Sequence, residues 1–182
     1  MKILNVDVLS NKLVTDNPVN RCYYCKQGVF GTILEAAKND GMTVILDGTN
    51  ASDEAEDRPG MKALQEMKVL SPLRMCGYVK SEIRKQSKEA GLFVYNKPSY
   101  ACLATRIPTG TEIDEEKIKQ VETAETFLFD LGFSDFRVRW MDNKAKIQMP
   151  ESQLQALMEK REVVLEELLK IFDEVLLDLR TR

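Results

Sequence analysis

Cys102 sits in the stretch Lys97-Pro98-Ser99-Tyr100-Ala101-Cys102-Leu103-Ala104-Thr105-Arg106-Ile107-Pro108. It is flanked by small residues, with one cation on either side. Nearby cations favour the thiolate, which is the nucleophilic form of cysteine. The chain has no histidine, so covalent chemistry would run on thiol, carboxylate, amine or hydroxyl groups. Three further cysteines, Cys22, Cys25 and Cys76, complete the set. In a cytosolic chain, free thiols, metal ligation or catalysis are favoured over disulfides. Cys22 and Cys25 form a C-x-x-C, but with no histidine a zinc site would need all four sulfurs. A redox pair should follow a strand and open a helix. The favoured reading is helix cysteines without a cofactor, and no metal site is expected.

At 182 residues the chain suits one large domain or two small ones. Its 43% hydrophobic and 30% charged residues are those of a globular protein. A formal charge of −3 gives no global attraction to nucleic acid. No apolar run approaches the roughly 18 residues of a membrane span. Met1-Lys2-Ile3-Leu4 does not open a secretory signal, so the expected compartment is the cytoplasm.

Residues that could do chemistry need elements to hold them. Lys2 to Leu9 alternates as a short strand, Asn17-Pro18 turns, and a helix runs from about Asn20 to Asn39 on Val29, Ile33, Ala36 and Ala37. Met42 to Leu46 reads as a buried parallel strand ended by Asp47-Gly48-Thr49-Asn50. An acidic loop, Ala51 to Asp57, precedes a helix from Met61 to Lys68. Val69 to Leu73 reads as another strand, and a helix follows from Lys80 to Ala90, closed by Gly91. This alternation predicts an α/β fold with a parallel sheet under helices. Asn96 to Thr111 is loop-like. Beyond it come a helix from Asp114 to Leu131, a hairpin of Phe136–Trp140 and Lys144–Met149 about Asp142-Asn143, one long helix after Pro150, and a last strand over Glu174–Leu179. The long helix carries an apolar stripe of Leu154, Leu157, Met158, Leu165, Leu168, Leu169 and Phe172. The expected divisions are an α/β part over 1–96, a loop and linker over 97–111, and a small α+β subdomain over 112–182.

Four blocks occur in order: Asn17-Pro18-Val19-Asn20-Arg21-Cys22-Tyr23-Tyr24-Cys25-Lys26, then Asp47-Gly48-Thr49-Asn50, then Arg58-Pro59-Gly60, then Ala101-Cys102-Leu103-Ala104-Thr105-Arg106-Ile107-Pro108. Together they resemble LarE, the ATP-dependent sacrificial sulfur transferases of the PP-loop pyrophosphatase superfamily. The resemblance implies an incomplete Rossmann-like sheet of the adenine nucleotide alpha hydrolase type, with 1–96 as the C-terminal part of a PP-loop nucleotide-binding domain, 97–111 as the active-site loop and 112–182 as a substrate or oligomerisation subdomain. It implies ATP and Mg2+, and a pyridinium carboxylate mononucleotide that is adenylated and then given sulfur for a nickel-pincer nucleotide cofactor. Cys102 would be the sulfur donor, left as dehydroalanine. Thr105 and Arg106 would bind the substrate phosphate, with Glu125 and Arg137 at the same site. Tyr23, Asp47, Thr49 and Asn50 would line the nucleotide cleft. Some members of the family relay sulfur through an iron–sulfur cluster instead.

The chain departs from that pattern in lacking the glycine-rich S-G-G-x-D-S loop, whose backbone N–H groups cradle ATP phosphates. It also has few strands for a doubly wound sheet. The expectation is a split gene, a shortened chain or an inactive remnant. An open sheet edge would then call for a homo-oligomer, or for a partner polypeptide bearing the missing loop. The alternative function is a non-catalytic module that binds a mononucleotide or a partner.

Overall fold

The computed structural model describes residues 1–53 and 58–180, so part of the predicted acidic loop lies outside the described residues. The chain divides into two compact units, Met1–Lys97 and Pro98–Arg182, and its architecture is mixed α/β.

The first unit is mostly helical. A short α1 (Lys12–Thr15), absent from the sequence reading, is capped by the Asn11 side chain, which accepts from Leu13 N–H. It leads to Asn17, fully buried and left-handed at φ 51, whose side-chain oxygen accepts from Arg21 Nη1 at 2.5 Å. α2 (Arg21–Asn39) occupies the predicted span. Its C-terminus closes with Gly41 at φ 74 and the bond from Met42 N–H to the Ala37 carbonyl, the left-handed stop that glycine permits. α3 (Pro59–Glu66) begins on proline at its first position, where no N–H is needed. α4 (Pro72–Met75) and α5 (Lys80–Glu89) follow. Val79 gives α5 no polar cap, but Glu82 accepts its backbone N–H at 3.0 Å. Met61, Leu64 and Val69 form the core of this unit, with Phe30, Ile45 and Met67 against them.

The predicted parallel sheet of this unit is reduced to a single bridge. Leu46 and Leu70 pair in parallel, through Asp47 N–H to the Leu70 carbonyl and Leu70 N–H to the Ile45 carbonyl. The direction agrees with the prediction, but the extent does not. Met42, Val44 and Leu46 are all more than half exposed, and among the described residues the pairing does not extend beyond the Leu46–Leu70 bridge. Pro72 turns the end of the predicted Val69–Leu73 strand into α4. Lys2–Leu9 is also not a strand: Asp7 turns it locally by accepting from the N–H groups of Leu9 and Ser10. Alternation makes a strand only where another strand supplies the ladder bonds.

The second unit is an α+β layer. After a 3-10 turn over Leu103–Arg106 comes α6 (Glu115–Asp130), N-capped by Asp114, which accepts from Lys117 N–H. β1 (Arg137–Met141) and β2 (Lys144–Gln148) form an antiparallel hairpin. Its two-residue turn places Asp142 and Asn143 at φ 48 and 59, the left-handed pair that matches strand twist. α7 (Leu154–Glu159) and α8 (Arg161–Leu168) cross over to β3 (Glu174–Leu177), which pairs with β2 in parallel. The predicted long helix is therefore a 3-10 turn and two helices. The break falls at Lys160, whose ammonium donates to the Leu131 carbonyl at the end of α6. The bend also leaves Met158 and Leu169 half exposed, while Leu157, Val164, Leu168 and Phe172 are buried.

One face of this sheet, with Val138, Trp140, Ala145 and Ile147, packs on Val121, Ala124 and Leu128 of α6 and on α7 and α8. The single tryptophan, Trp140, lies here and donates Nε1–H to Gln120. Its fluorescence therefore reports the second unit. Leu128→Ala, at a fully buried position, should lower the urea stability of this unit by about 3 kcal/mol, read as a shift of the Trp140 fluorescence midpoint.

Candidate active site

Cys102 lies at the exposed crest of a loop that begins the second unit, directly before the 3-10 turn. Beneath it, Arg106 and Glu125 form an ion pair with both side chains essentially out of contact with solvent. The fork is bidentate: Nε meets Oε1 at 2.8 Å and Nη2 meets Oε2 at 2.9 Å. The remaining Arg106 nitrogen, Nη1, donates to the Ala101 carbonyl at 3.0 Å, to the Cys102 carbonyl at 3.4 Å and to Thr105 Oγ1 at 3.1 Å. Glu125 also accepts the Tyr100 hydroxyl at 2.8 Å and the Val138 N–H at 2.9 Å. One carboxylate thus holds both ends of the Tyr100–Arg106 segment, with Cys102 on the arch between them.

Thr105 completes the turn. Its hydroxyl donates to the Cys102 carbonyl at 2.8 Å, beside its own N–H at 2.9 Å. The backbone of Cys102 is therefore fixed while its side chain is open. Burying two charges is costly unless geometry and hydrogen bonds compensate, and here the compensation comes from the loop that carries the thiol.

Cys102, Thr105, Arg106 and Glu125 are brought together as one bonded cluster. Arg106 was expected to supply a positive field to the thiol. Its charge is instead matched by Glu125, and it acts on Cys102 through the backbone carbonyl. Arg137 is half-buried on β1, opposite Gln148 and one residue before the Val138 amide that Glu125 holds.

Two contributors escaped the sequence reading. Tyr100 lies over Arg106, ring centroid to guanidinium carbon 5.1 Å. Its signal was an aromatic with a polar tip inside the cysteine block. Arg139 donates Nη1 to the Thr105 carbonyl at 2.6 Å. Its signal was the shared strand face with Arg137, a pattern that solvated strands also show. Burial pushes the Tyr100 hydroxyl up to about 12, reinforced by its hydrogen bond to Glu125 and that residue's charge.

The other predicted residues gather in the first unit. Asp47 accepts Thr49 N–H at 3.1 Å, Thr49 Oγ1–H at 2.5 Å and Ser71 Oγ–H at 2.6 Å. Partial burial opposes ionisation of Asp47, but these bonds and the charge of Lys26 hold its carboxyl below the usual carboxylate value. Asn50 accepts Ser52 N–H, and its own N–H is held by Asp53. Gly60 lets α2 and α3 approach, since a Cβ there would meet Cδ and Cε of Lys26 at 3.2 Å. The Cys-Lys end of the first block, the D-G-T-N turn and the R-P-G block thus meet around Lys26. Tyr23 lies on α2 and donates to Glu66 at 2.6 Å; that bond, with burial and the charge of Glu66, raises its pKa above the ordinary tyrosine value.

All four cysteines are free thiols. Among the described residues no three cysteine, aspartate or glutamate side chains are grouped as metal ligands. None of the described helices is long and apolar enough to cross a membrane.

The site defines a class: a mixed α/β chain with an exposed cysteine on a loop clamped by a buried ion pair. No family model matches the chain. It is 34% identical over 149 residues to the pyridinium-3,5-bisthiocarboxylic acid mononucleotide synthase of Lactiplantibacillus plantarum, covering 82% of this chain and 54% of that protein. It is 36% identical over 171 residues to an uncharacterized protein of Synechocystis, covering 94% of this chain and 63% of that protein. It is 32% identical over 161 residues to an uncharacterized protein of Methanocaldococcus jannaschii, covering 88% of this chain and 63% of that protein. The chain thus spans between about half and two thirds of the length of these curated relatives.

Two outcomes follow from the geometry. Arg106→Met leaves Glu125 buried without its counter-ion and should cost about 3–5 kcal/mol, whereas the double variant Arg106→Met/Glu125→Leu should recover much of that loss in denaturant melts. Tyr100 should be the late step in a spectrophotometric tyrosine titration, near pH 12, and Tyr100→Phe should remove it. Because its folded pKa is raised, its contribution to stability is complete below the unfolded tyrosine value and is lost as pH rises toward 12.

Proposed function

We propose that this chain is the cysteine-bearing part of a LarE-type sulfur transferase, acting in biosynthesis of a nickel-pincer nucleotide cofactor. The observation that carries the reading is the exposed thiol of Cys102 on a backbone clamped by Arg106, Glu125 and Thr105. The similarity to the Lactiplantibacillus synthase supplies the substrate class.

In this reading a carboxylate of a pyridinium mononucleotide attacks the α-phosphate of ATP, releasing pyrophosphate and giving an acyl-adenylate. The Cys102 thiolate attacks the acyl carbon and AMP leaves, so a thioester joins substrate to enzyme. Removal of the Cys102 α-proton by a base then breaks the Cβ–S bond. Sulfur departs on the substrate as thiocarboxylate, and residue 102 remains as dehydroalanine.

Glu125 is poorly suited to be that base here, because four hydrogen bonds already converge on its carboxylate. Its role is to hold the loop. Thr105 and Arg137 are the groups of this unit assigned to the substrate phosphate, with Arg106 organising the turn beside them. The Lys26 and Asp47 neighbourhood of the first unit, with Tyr23, Thr49 and Asn50, is assigned to the nucleotide side. ATP and Mg2+ are the cofactors in this reading, the metal riding on the ATP phosphates. The expected compartment is the cytoplasm, and the working form is a homo-oligomer or an assembly with a second polypeptide.

Intact-mass spectrometry before and after turnover with ATP, Mg2+ and the pyridinium mononucleotide tests this reading. A loss of about 34 Da confined to Cys102 is the expected result, as thiol becomes dehydroalanine. Thiocarboxylate product with no change at Cys102 would overturn it.

A further inference from the structure

We propose that the open edge of β3 pairs with the same edge of a second copy of this chain, with Leu177 on the two-fold axis and Leu179 of each copy entering an apolar cavity of the other. The proposal gives a surface to the homo-oligomeric form and stands apart from the chemistry of Cys102.

β3 ends the sheet and pairs with β2 on one side only. Asp178 gives its N–H to the Ile147 carbonyl of β2. Backbone groups alternate in direction along a strand, so Val175 and Leu177 turn N–H and C=O toward the open edge. Sheet edges are commonly blocked by unmatched charge, proline or a bulge. The Glu-Val-Leu-Leu sequence of β3 carries no such block. Glu174 is matched by Lys144 at 2.5 Å, and Asp178, just beyond the strand, by Lys146 at 2.7 Å.

Beside this edge lies a cavity of about 240 Å3. Leu157 and Met158 of α7, Leu165 of α8, Ile147 of β2 and Val175 of β3 line it, and no residue of β1 or α6 does. It therefore sits at the β3 end of the layer. Val175 and Leu177 face the core, and the two-residue period puts Leu179 on that same face. Leu179 is 85% exposed.

A two-fold axis perpendicular to the sheet keeps the helices of both copies on one side and pairs residues of equal parity. With Leu176 on the axis, Glu174 would oppose Asp178 of the second copy, a like-charge pair made twice. With Val175 on the axis, Asp173 would oppose Leu177 of the second copy. With Leu177 on the axis, Glu174 meets the exposed Arg180 of the second copy, and Val175 meets its Leu179 at the cavity. Charge matching and cavity filling thus select the same register, and the interface is self-complementary as a two-fold contact requires.

The test is sedimentation equilibrium of the full chain from about 1 to 500 μM, with amide hydrogen exchange at both ends of that range. A monomer–dimer equilibrium with Kd between about 1 and 100 μM is expected. At high concentration the Leu177 and Leu179 amides should exchange about tenfold more slowly, with the β1 amides unchanged. Leu179→Asp should raise Kd at least about thirtyfold, because it sets a charge in each cavity. Arg180→Glu and Glu174→Arg should each raise it about tenfold, and the double variant should return it to within about threefold of the parental value. These positions are exposed, so the Trp140 fluorescence midpoint should stay near parental in every variant. Decanoate, with an apolar chain for the cavity and a carboxylate for Arg161, its one charged lining residue, should weaken the dimer.

A chain that stays monomeric at about 500 μM would overturn the proposal. So would association that ignores Leu179→Asp, charge reversals that the double variant does not rescue, or protection at β1 instead of β3. Decanoate bound to a chain that stays monomeric would give the cavity to a small anion and overturn it as well. Thiocarboxylate formation is not a readout, so failure of Cys102 as sulfur donor and failure of this interface are told apart.

Discussion

The buried pair of Arg106 and Glu125 is the constraint on which the second unit depends. A guanidinium and a carboxylate removed from water must satisfy each other and nearly every remaining donor and acceptor. That requirement draws five groups from the loop and from β1 to one point: the Tyr100 hydroxyl, the carbonyls of Ala101 and Cys102, the Thr105 hydroxyl and the Val138 amide. The loop is ordered because the ion pair needs it. A residue that must present a thiol to solvent on a fixed backbone is well served by this arrangement, since rigidity comes from below and leaves the upper face free.

The same constraint divides labour among the residues near Cys102. Arg106 and Glu125 are committed to each other and to the turn, which is why the proposed reading gives the substrate phosphate to Thr105 and Arg137. The substrate class therefore rests on relatives, while the structure supplies the mechanics of holding the thiol. In the first unit Lys26 plays a comparable organising part. It packs where Gly60 has no side chain and contributes to the lowered pKa of Asp47, so three separated sequence blocks meet around one lysine.

Much of the second unit was legible in the sequence. Asp114 caps α6, Asp142-Asn143 makes the hairpin turn, and alternation in β1 and β2 separates core from polar face. These signals are local, and local physics decides them. The break at Lys160 was not legible because no proline or glycine marks it in the sequence. The strands expected over Lys2–Leu9 and Met42–Leu46 show the complementary failure: alternation or β-rich composition states a preference, and pairing needs a neighbour. At the candidate site, Cys102, Thr105, Arg106 and Glu125 were singled out by motif resemblance, and the structure bonds them in one cluster. Nothing in residue spacing tells that Arg106 is buried on Glu125, and Tyr100 and Arg139 became visible only through their bonds.

The most direct measurement is the origin of the sulfur in the product. Protein labelled throughout with heavy-isotope cysteine, turned over with unlabelled ATP and pyridinium mononucleotide, should yield thiocarboxylate carrying the heavy isotope, in amount equal to the dehydroalanine found at residue 102. Light sulfur in the product, or heavy sulfur with Cys102 intact, would contradict Cys102 as the consumed donor.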